Sequence, residues 1–233
     1  MTQINKRRSC LSILITTVSD ILWTVGVLLL LFVVWQLWWT NVEAGKIQKD
    51  SILQTIKNWD GDENLKPLEG SVWGILYVPA FGSEYAKPIA EGVGLDVLNT
   101  VGVGHYPDTA MPGQLGNVGL AGHRQTHGQV FWDMDKLGYG DKAYIQTQDG
   151  IYVFTYEETM IVQPSQGEVL FSVPGDAAAA PTRKLLTLTT CHPPFTTNMR
   201  MVVHLEQTEF IPAGEPAPPS ISELVLATTG IGG

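Results

Sequence analysis

A single cysteine in the last third of the chain has the sequence context of a nucleophile. Cys191 ends a strand-like run at residues 187–191, T-L-T-T-C, because the two prolines that follow His192 cannot continue a strand. Side chains alternate along a strand, so Cys191 shares a polar face with Thr187 and Thr189. Most free cysteines are small buried hydrophobes, but a thiol on a polar strand end is more typical of a reactive group. We therefore predict that Cys191 is a catalytic nucleophile.

The thiol needs a base, because a cysteine in solution is only a few per cent thiolate at neutral pH. Among the five histidines, His123 is the best candidate. It follows a strand-like run at residues 117–122, whose Gly119 and Ala121 share its face and leave room for a groove floor. His192 adjoins the cysteine but should point to the opposite face. The remaining histidines fall in predicted loops (His105 and His127) or in the middle of a strand (His204).

Acyl transfer also requires a donor that stabilises the developing oxyanion. Arg200 follows Cys191 across a short turn, so it could lie beside the cysteine on the neighbouring strand. On that strand Arg200 shares one face with His204 and Glu206. An isolated arginine on a strand is usually a solvated surface charge. Its assignment to catalysis therefore depends on its pairing with Cys191.

Three other interpretations remain open at this point. The first is a zinc site formed by His123, His127, Cys191 and His192, although the two histidines lack a clear helix and adjacent Cys-His residues rarely chelate one ion. We therefore expect no metal and no other cofactor. The second is a thiol hydrolase that uses the same residues with water as the acceptor. The third is a non-enzymatic cell-surface β-domain in which these side chains are structural.

The region from residue 72 shows a strand pattern, with short apolar runs separated by Gly, Pro and Asp. No amphipathic helix of 12 residues is evident after residue 72, and Asp149-Gly150 is typical of a hairpin turn. Many short strands with turn signals indicate a mainly β fold, either a barrel or a sandwich. The predicted strands are residues 72–78, 117–121, 142–147, 151–162, 184–190 and 199–206.

The N-terminal region predicts a membrane anchor. Residues 21–39 are apolar except for three positions, long enough to span about 30 Å as a helix, and three tryptophans lie at the far end. Basic residues at positions 6–8 favour a cytoplasmic N-terminus, residues 1–20, and a single-pass protein of the cell membrane with an extracellular domain. The rival is a cleaved signal peptide, but the run is too long and lacks a clear cleavage site. Residues 40–70 are then a helical stalk or linker, residues 71–210 the catalytic domain and residues 211–233 a tail.

The charge distribution excludes one large class of partners. The formal net charge is −9, and residues 71–233 hold seven basic and sixteen acidic side chains. A domain of this kind has no basic surface for phosphates, so we do not expect nucleic-acid binding.

Several motifs together resemble the sortase family of cysteine transpeptidases, which attach proteins to the cell wall of Gram-positive bacteria. Residues 187–191, T-L-T-T-C, match the family's signature around the nucleophile, and the following His192-Pro193 is similar to its class E branch. Residues 121–124, A-G-H-R, match the segment of the catalytic histidine, and residues 200–203, R-M-V-V, match the arginine strand. The resemblance covers about residues 70–210, in the family's order.

The resemblance implies a closed eight-stranded β-barrel with short helices, and His123, Cys191 and Arg200 in one groove. It implies cleavage of an exported protein between Thr and Gly of a Leu-Ala-Xaa-Thr-Gly (LAXTG) sorting signal, through a thioacyl intermediate. The protein is then transferred to a cell-wall precursor amine, the lipid-linked peptidoglycan unit. By the same resemblance Tyr106 reads the Ala of the signal, and Thr190 helps to hold the substrate or oxyanion.

The tail contains a sequence that fits this substrate pattern. It reads L-A-T-T-G at residues 226–230 and follows a Pro/Ala/Gly-rich stretch, which predicts an extended, mobile segment. True sorting signals continue into an apolar segment and a basic tail, and only three residues follow here. We expect a pseudosubstrate or self-substrate, in cis or by self-association between molecules. Coincidence or a tag remains the alternative. The candidate residues are Leu226, Ala227, Thr228, Thr229 and Gly230.

Overall fold

The computed structural model describes residues 10–57 and 67–229 of the chain. The described chain divides into two compact units, which meet in sequence between Thr40 and Asn41. The first unit is the N-terminal part of helix α1, which runs from Cys10 to Lys57. Its apolar side chains point outward on all sides, and it is the one helix among the described residues that is long and apolar enough to cross a membrane. The predicted anchor is thus helical; residues 58–66 of the predicted stalk or linker lie outside the described residues.

The second unit begins with the C-terminal part of α1, which packs against the β-domain. Ala44, Gln48, Ile52 and Thr55 recur every three to four residues and are all buried, so they form one face of the helix. Ile52 packs against side chains of the β-domain, whereas the neighbouring Leu53 is exposed. This part of α1 is therefore an integral component of the second unit as well as a connection to the predicted anchor.

Eight strands form a closed barrel in the order β1-β2-β3-β4-β7-β8-β6-β5. Most neighbours are antiparallel, but β2 with β3 and β4 with β7 are parallel. Every strand has a partner on both sides, so the sheet closes on itself and has no edge strand. The strands are β1 Val72–Tyr77, β2 Ala86–Glu91, β3 Val103–His105, β4 Gly116–Gly122, β5 Lys142–Thr147, β6 Gly150–Val162, β7 Lys184–His192 and β8 Met199–Pro212.

Alternation along the strands separates the barrel interior from its outer wall. Leu186 and Leu188 of β7 and Val203 of β8 are fully buried in the largest apolar cluster, which fills the barrel. Thr187 and Thr189 point the other way, as predicted. The candidate site therefore lies on the outer wall of the barrel.

All six predicted strands are confirmed, although β8 continues six residues beyond its predicted end, to Pro212, and the closed eight-stranded barrel is confirmed as well. Two short strands were not predicted from the residues. β2 contains Lys87 and Pro88, which depress its strand signal, and β3 has only three residues including Gly104. Because β3 exists, the prediction that His105 lies in a loop is wrong: it is the last residue of β3 and is buried. A short helix, α2 Leu95–Thr100, connects β2 to β3.

The prediction of an extended tail is wrong for residues 222–229. Helix α3 covers Ser222–Thr229, directly after Ile221, which is 1% exposed. Ile221 packs with Tyr77 and Tyr144 on the outer wall of β1 and β5, together with Ile52 of α1. Both ends of the second unit therefore cover the same wall. Burial of Ile221 and its neighbours stabilises helix α3, which the composition of the tail does not predict.

Candidate active site

Cys191 lies near the end of β7 and is half-buried. Its antiparallel partner on β8 is Arg200, so the two residues are directly opposite each other in the ladder. Directly paired residues project to the same side of a sheet. The register thus places the thiol and the guanidinium on one side of the barrel wall, as their spacing predicted.

The side chain of Arg200 is held by the turn between β7 and β8. Its Nη1 donates hydrogen bonds to the carbonyl oxygens of Thr197, at 2.9 Å, and Met199, at 3.0 Å. A guanidinium has five N–H donors, so this contact leaves others for a ligand. The turn therefore fixes a cation beside the strand position of Cys191.

His123 follows the end of β4, the parallel neighbour of β7. The last paired residues are Ala121 and Thr189, and the hydroxyl of Thr190 donates a 2.8 Å hydrogen bond to the carbonyl of Gly122. One residue further along each chain are His123 and Cys191. The structure thus brings the predicted histidine and cysteine to adjacent ends of two parallel strands.

The His123 ring has a defined orientation, because its Nε2 lies 2.8 Å from Oδ1 of Asn99 on α2. An amide oxygen only accepts, so Nε2 carries the proton. In the neutral ring the basic atom is then Nδ1. Burial lowers the pKa of His123, and the charge of His127, whose ring centroid lies 5.2 Å away, lowers this pKa further. At neutral pH the ring is therefore ready to accept a proton.

Two residues assigned to substrate binding by resemblance also contact the strands of the site. The hydroxyl of Tyr106 lies 3.1 Å from Oγ1 of Thr189, two residues before Cys191. Tyr106 also lies over Gly119, where an added Cβ would come within 2.9 Å of its ring. The space beside small residues of β4 was expected to form a groove floor. Tyr106 and Leu170 occupy this space at Gly119. The hydroxyl of Thr190 is turned toward β4, so in this conformation Thr190 connects the two catalytic strands.

A buried arginine that sequence reasoning did not single out lies behind the site. Arg124 is 4% exposed and follows His123; its Nη1 donates a 2.9 Å hydrogen bond to Nδ1 of His192, which follows Cys191. Its Nη2 forms an ion pair with Asp135 at 2.9 Å. The signal available in the sequence was position, because each partner is the immediate neighbour of a predicted catalytic residue. The contact with Arg124 also engages Nδ1 of His192, one of the nitrogens that could bind the metal in the alternative zinc site, because this nitrogen faces a cation.

A second buried pair supports Tyr106. His105 Nδ1 lies 2.8 Å from Oε2 of Glu91, and both side chains are almost fully buried. The other ring nitrogen of His105 lies 3.0 Å from the hydroxyl of Thr109, which accepts a hydrogen bond from the N–H of Gly119. This network fixes the β3–β4 connection on the wall that carries His123, and it was not foreseen because His105 was predicted in a loop.

The candidate pseudosubstrate lies far from this cleft around the barrel. Thr228 bonds to the hydroxyl of Tyr77 on β1, at 3.1 Å, and Leu226 is half-exposed on α3. β1 is four strands away from β7 in either direction around the barrel. Gly230 lies outside the described residues. The described part of the motif, residues 226–229, is thus helical and on the opposite wall from Cys191.

Comparison with known proteins agrees with this geometry. Residues 76–208 match the sortase domain family. The chain is 37% identical over 213 residues to sortase SrtE1 of Streptomyces coelicolor, over 88% of this chain and 60% of that protein. It is similar to the solved SrtA sortase from Actinomyces oris, with 36% identity and a TM-score of 0.64 over 67% of this chain and 90% of that one. It is also similar to sortase E1 from Streptomyces coelicolor with a tripeptide in the active site, with 34% identity and a TM-score of 0.60 over 66% and 99% of the two chains.

The family match covers more than half of the chain and includes all the strands that carry the predicted catalytic residues. The chain spans 60% of the length of SrtE1, so similarity to that protein covers only part of it. The barrel, its strand order and these similarities lead to one assignment. The chain belongs to the sortase family of cysteine transpeptidases and is class E-like.

Proposed function

We propose that this chain cleaves a LAXTG-type sorting signal between Thr and Gly and transfers the protein to an amine of the cell-wall precursor. The observation that carries the proposal is the meeting of three strand ends. Cys191 is paired with Arg200 on one side, and β4 brings His123 to the adjacent position on the other. The solved sortase E1 with a tripeptide in its active site supports a peptide substrate.

In the first half-reaction Nδ1 of His123 accepts the thiol proton of Cys191, and the sulfur attacks the carbonyl carbon of the Thr residue in the signal. The C–N bond to Gly breaks, and protonated His123 gives its proton to the leaving amine. The products are a thioester on Cys191 and a free glycine amine. In the second half-reaction an acceptor amine attacks the thioester, loses a proton to His123 and releases the thiolate of Cys191.

Arg200 stabilises the negative oxygen that forms in each half-reaction. Its turn-held guanidinium is fixed before the substrate arrives, so little reorganisation is needed when charge develops. The resemblance to the family assigns Tyr106 to the Ala of the signal, and the contact of its hydroxyl with Thr189 is consistent with a place beside the site. Thr190 acts mainly by keeping β7 next to β4.

The partners follow from the proposed reaction. They are exported proteins that bear LAXTG-type signals and the lipid-linked peptidoglycan precursor, both of which are available at the outer surface of the cell membrane. An α1 anchor with a cytoplasmic N-terminus places the barrel there, and basic residues before the apolar run favour this orientation.

The proposal is tested with the full-length chain in detergent micelles and a fluorescent LAXTG peptide. We expect cleavage between Thr and Gly, a thioester on Cys191 by mass spectrometry, and a ligated product when an amine is supplied. Cys191→Ala should abolish all three. Only the acid product, even with amine present, would identify a hydrolase. If the wild type cleaves no peptide, and if Cys191→Ala folds as the wild type does, the result favours a non-enzymatic domain.

The tail remains a candidate substrate of a neighbouring molecule. Ile221 is buried, so a released arm would begin after it; the eight residues to Thr229 span at most about 28 Å when extended. α3 would have to unfold first, because Thr228 is held by Tyr77. A variant that ends at residue 221 should lose any covalent dimer formed by the wild type, and equal dimer formation by both chains would remove the hypothesis.

A further inference from the structure

Two polar side chains of α1 face the part of the barrel that carries His123. Gln48 is 2% exposed, and its Oε1 accepts a 2.8 Å hydrogen bond from Nζ of Lys87 on β2. Two turns earlier, Oδ1 of Asn41 accepts a 3.0 Å hydrogen bond from the backbone N–H of Gly128. Helix α1 therefore contacts the chain segment that directly follows His123.

The amide of Gln48 fits closely against two glycines. A Cβ added at Gly102 would lie 2.6 Å from Nε2 of Gln48, and one added at Gly128 would lie 2.7 Å from the same atom. These distances are shorter than side-chain carbons tolerate, and both glycines also have positive φ angles. The amide end of Gln48 thus lies directly against two glycines at separate positions of the barrel.

Each glycine closes a segment that holds His123. Gly102 ends the turn after α2, where its N–H bonds to the carbonyl of Val97, and α2 carries Asn99, the partner of His123 Nε2. Gly128 directly follows His127, whose ring lies beside that of His123. Gln48 is therefore located between the two segments whose side chains contact the imidazole.

The second of these segments needs external support. His127, Gly128 and Gln129 have φ angles of +48°, +87° and +50°, so three successive residues adopt the left-handed region. For residues other than glycine this conformation is costly, and it persists only where the surroundings hold it. The hydrogen bond from Gly128 to Asn41 and the close fit of Gln48 supply such contacts.

We propose that Gln48 and Asn41 are positioning residues for His123, which act through the Asn99 and His127 segments. The proposal rests on the proposed function because it takes His123 as the catalytic base and acid. Gln48 keeps Asn99 where it accepts the Nε2 proton, so Nδ1 remains the basic atom. The helix that leaves the membrane anchor is thereby part of the catalytic machinery of the barrel.

Truncation of Gln48 should loosen both segments. The His123 ring then exchanges between tautomers and gains access to water, while Tyr106 and Arg200 keep their own contacts. We therefore expect the loss to appear in kcat, about tenfold, with KM changed less than about twofold.

The experiment uses full-length chains with Gln48→Ala, Gln48→Glu and Asn41→Ala. Glu43→Ala and Lys49→Ala, on the exposed face of α1, are matched controls. Gln48→Glu keeps the shape and the contact with Lys87, so it should retain most of the activity that Gln48→Ala loses. Kinetics are measured well below the melting temperature of each variant, so that unfolding does not contribute.

A second readout separates this inference from the proposed function. In a Cys191→Ala background, which has no turnover, the ring of His123 is titrated by NMR. Burial and the charge of His127 both lower its pKa, so Gln48→Ala should raise that pKa toward the ordinary value. An unchanged titration and unchanged kcat in Gln48→Ala and Asn41→Ala would overturn the inference. Absence of peptide cleavage in the wild type would overturn the proposed function alone.

Discussion

Arg124 and His192 are joined by a 2.9 Å hydrogen bond from Nη1 of the arginine to Nδ1 of the histidine. Arg124 follows His123 and His192 follows Cys191, and the bond lies on the interior side of the wall, where Arg124 also contacts Met201. The contact therefore fixes the distance between two strand ends from behind.

The first prediction concerns this bond. Arg124→Gln and His192→Ala should each lower kcat/KM by about tenfold or more, because misplacement of catalytic groups by fractions of an ångström is costly. The double variant should be little worse than either single one, with a coupling energy of about 0.5–3 kcal/mol. Steady-state kinetics of all four proteins check this. Fully additive losses would show that the two side chains act independently.

The second prediction concerns the charge next to the catalytic ring. His127→Phe keeps an aromatic ring beside His123 but removes the cation that lowers the pKa of His123. That pKa should rise, though not to its ordinary value, because burial is the larger cause. An NMR titration of the His123 ring measures the change, with Lys49→Ala as a control. A pKa that falls or stays constant would contradict the assigned cause.

The third prediction concerns stability and pH. Burial lowers the pKa of both His123 and His204 below the unfolded value, so the unfolded chain binds more protons on acidification. The free energy of unfolding that depends on keeping these two histidines neutral is fully present above about pH 6.5. It is lost as the pH falls through their pKa values in the folded protein. The melting temperature should thus fall between pH 7 and pH 5.5. His123→Asn combined with His204→Asn should flatten this slope, and an identical slope in that variant would assign the effect to other groups.

The fourth prediction concerns the tail. Ile221→Ala removes a fully buried side chain from the contact of the tail with β1 and β5, and should destabilise the protein by about 2–5 kcal/mol. Leu226→Ala, on the exposed side of α3, should change stability by about 0.5 kcal/mol or less. Thermal unfolding followed by circular dichroism compares the two. Similar effects of both substitutions would mean that the tail does not pack as described.

The catalytic strands could be predicted because their information is local. Thr187 and Thr189 alternate with buried leucines, and the prolines after His192 mark the strand end. The position of Cys191 could therefore be predicted from the two-residue alternation and from these prolines. The pairing of Cys191 with Arg200 followed from the shortness of the turn. These predictions needed no long-range contact, which is why they agree with the structure.

Other features depended on partners distant in sequence. Arg124 reads as an ordinary charged residue until His192 and Asp135 are brought to it by folding. The tail was misread because its composition was given more weight than its spacing: Ile221, Leu224 and Val225 follow the helical period and pack on the barrel. The sequence gives no indication that Gln48 contacts the site, because Gly102 and Gly128 come next to it only in the folded chain.

The closed barrel limits how a peptide can be recognised. Because each strand already has a neighbour on both sides, the barrel offers no open sheet edge along which a whole ninth strand could be added. Selectivity must therefore come from side chains that stand out from the wall and from the connections that overhang it. Exchange of those connections should change which sequence is read while the barrel stays the same.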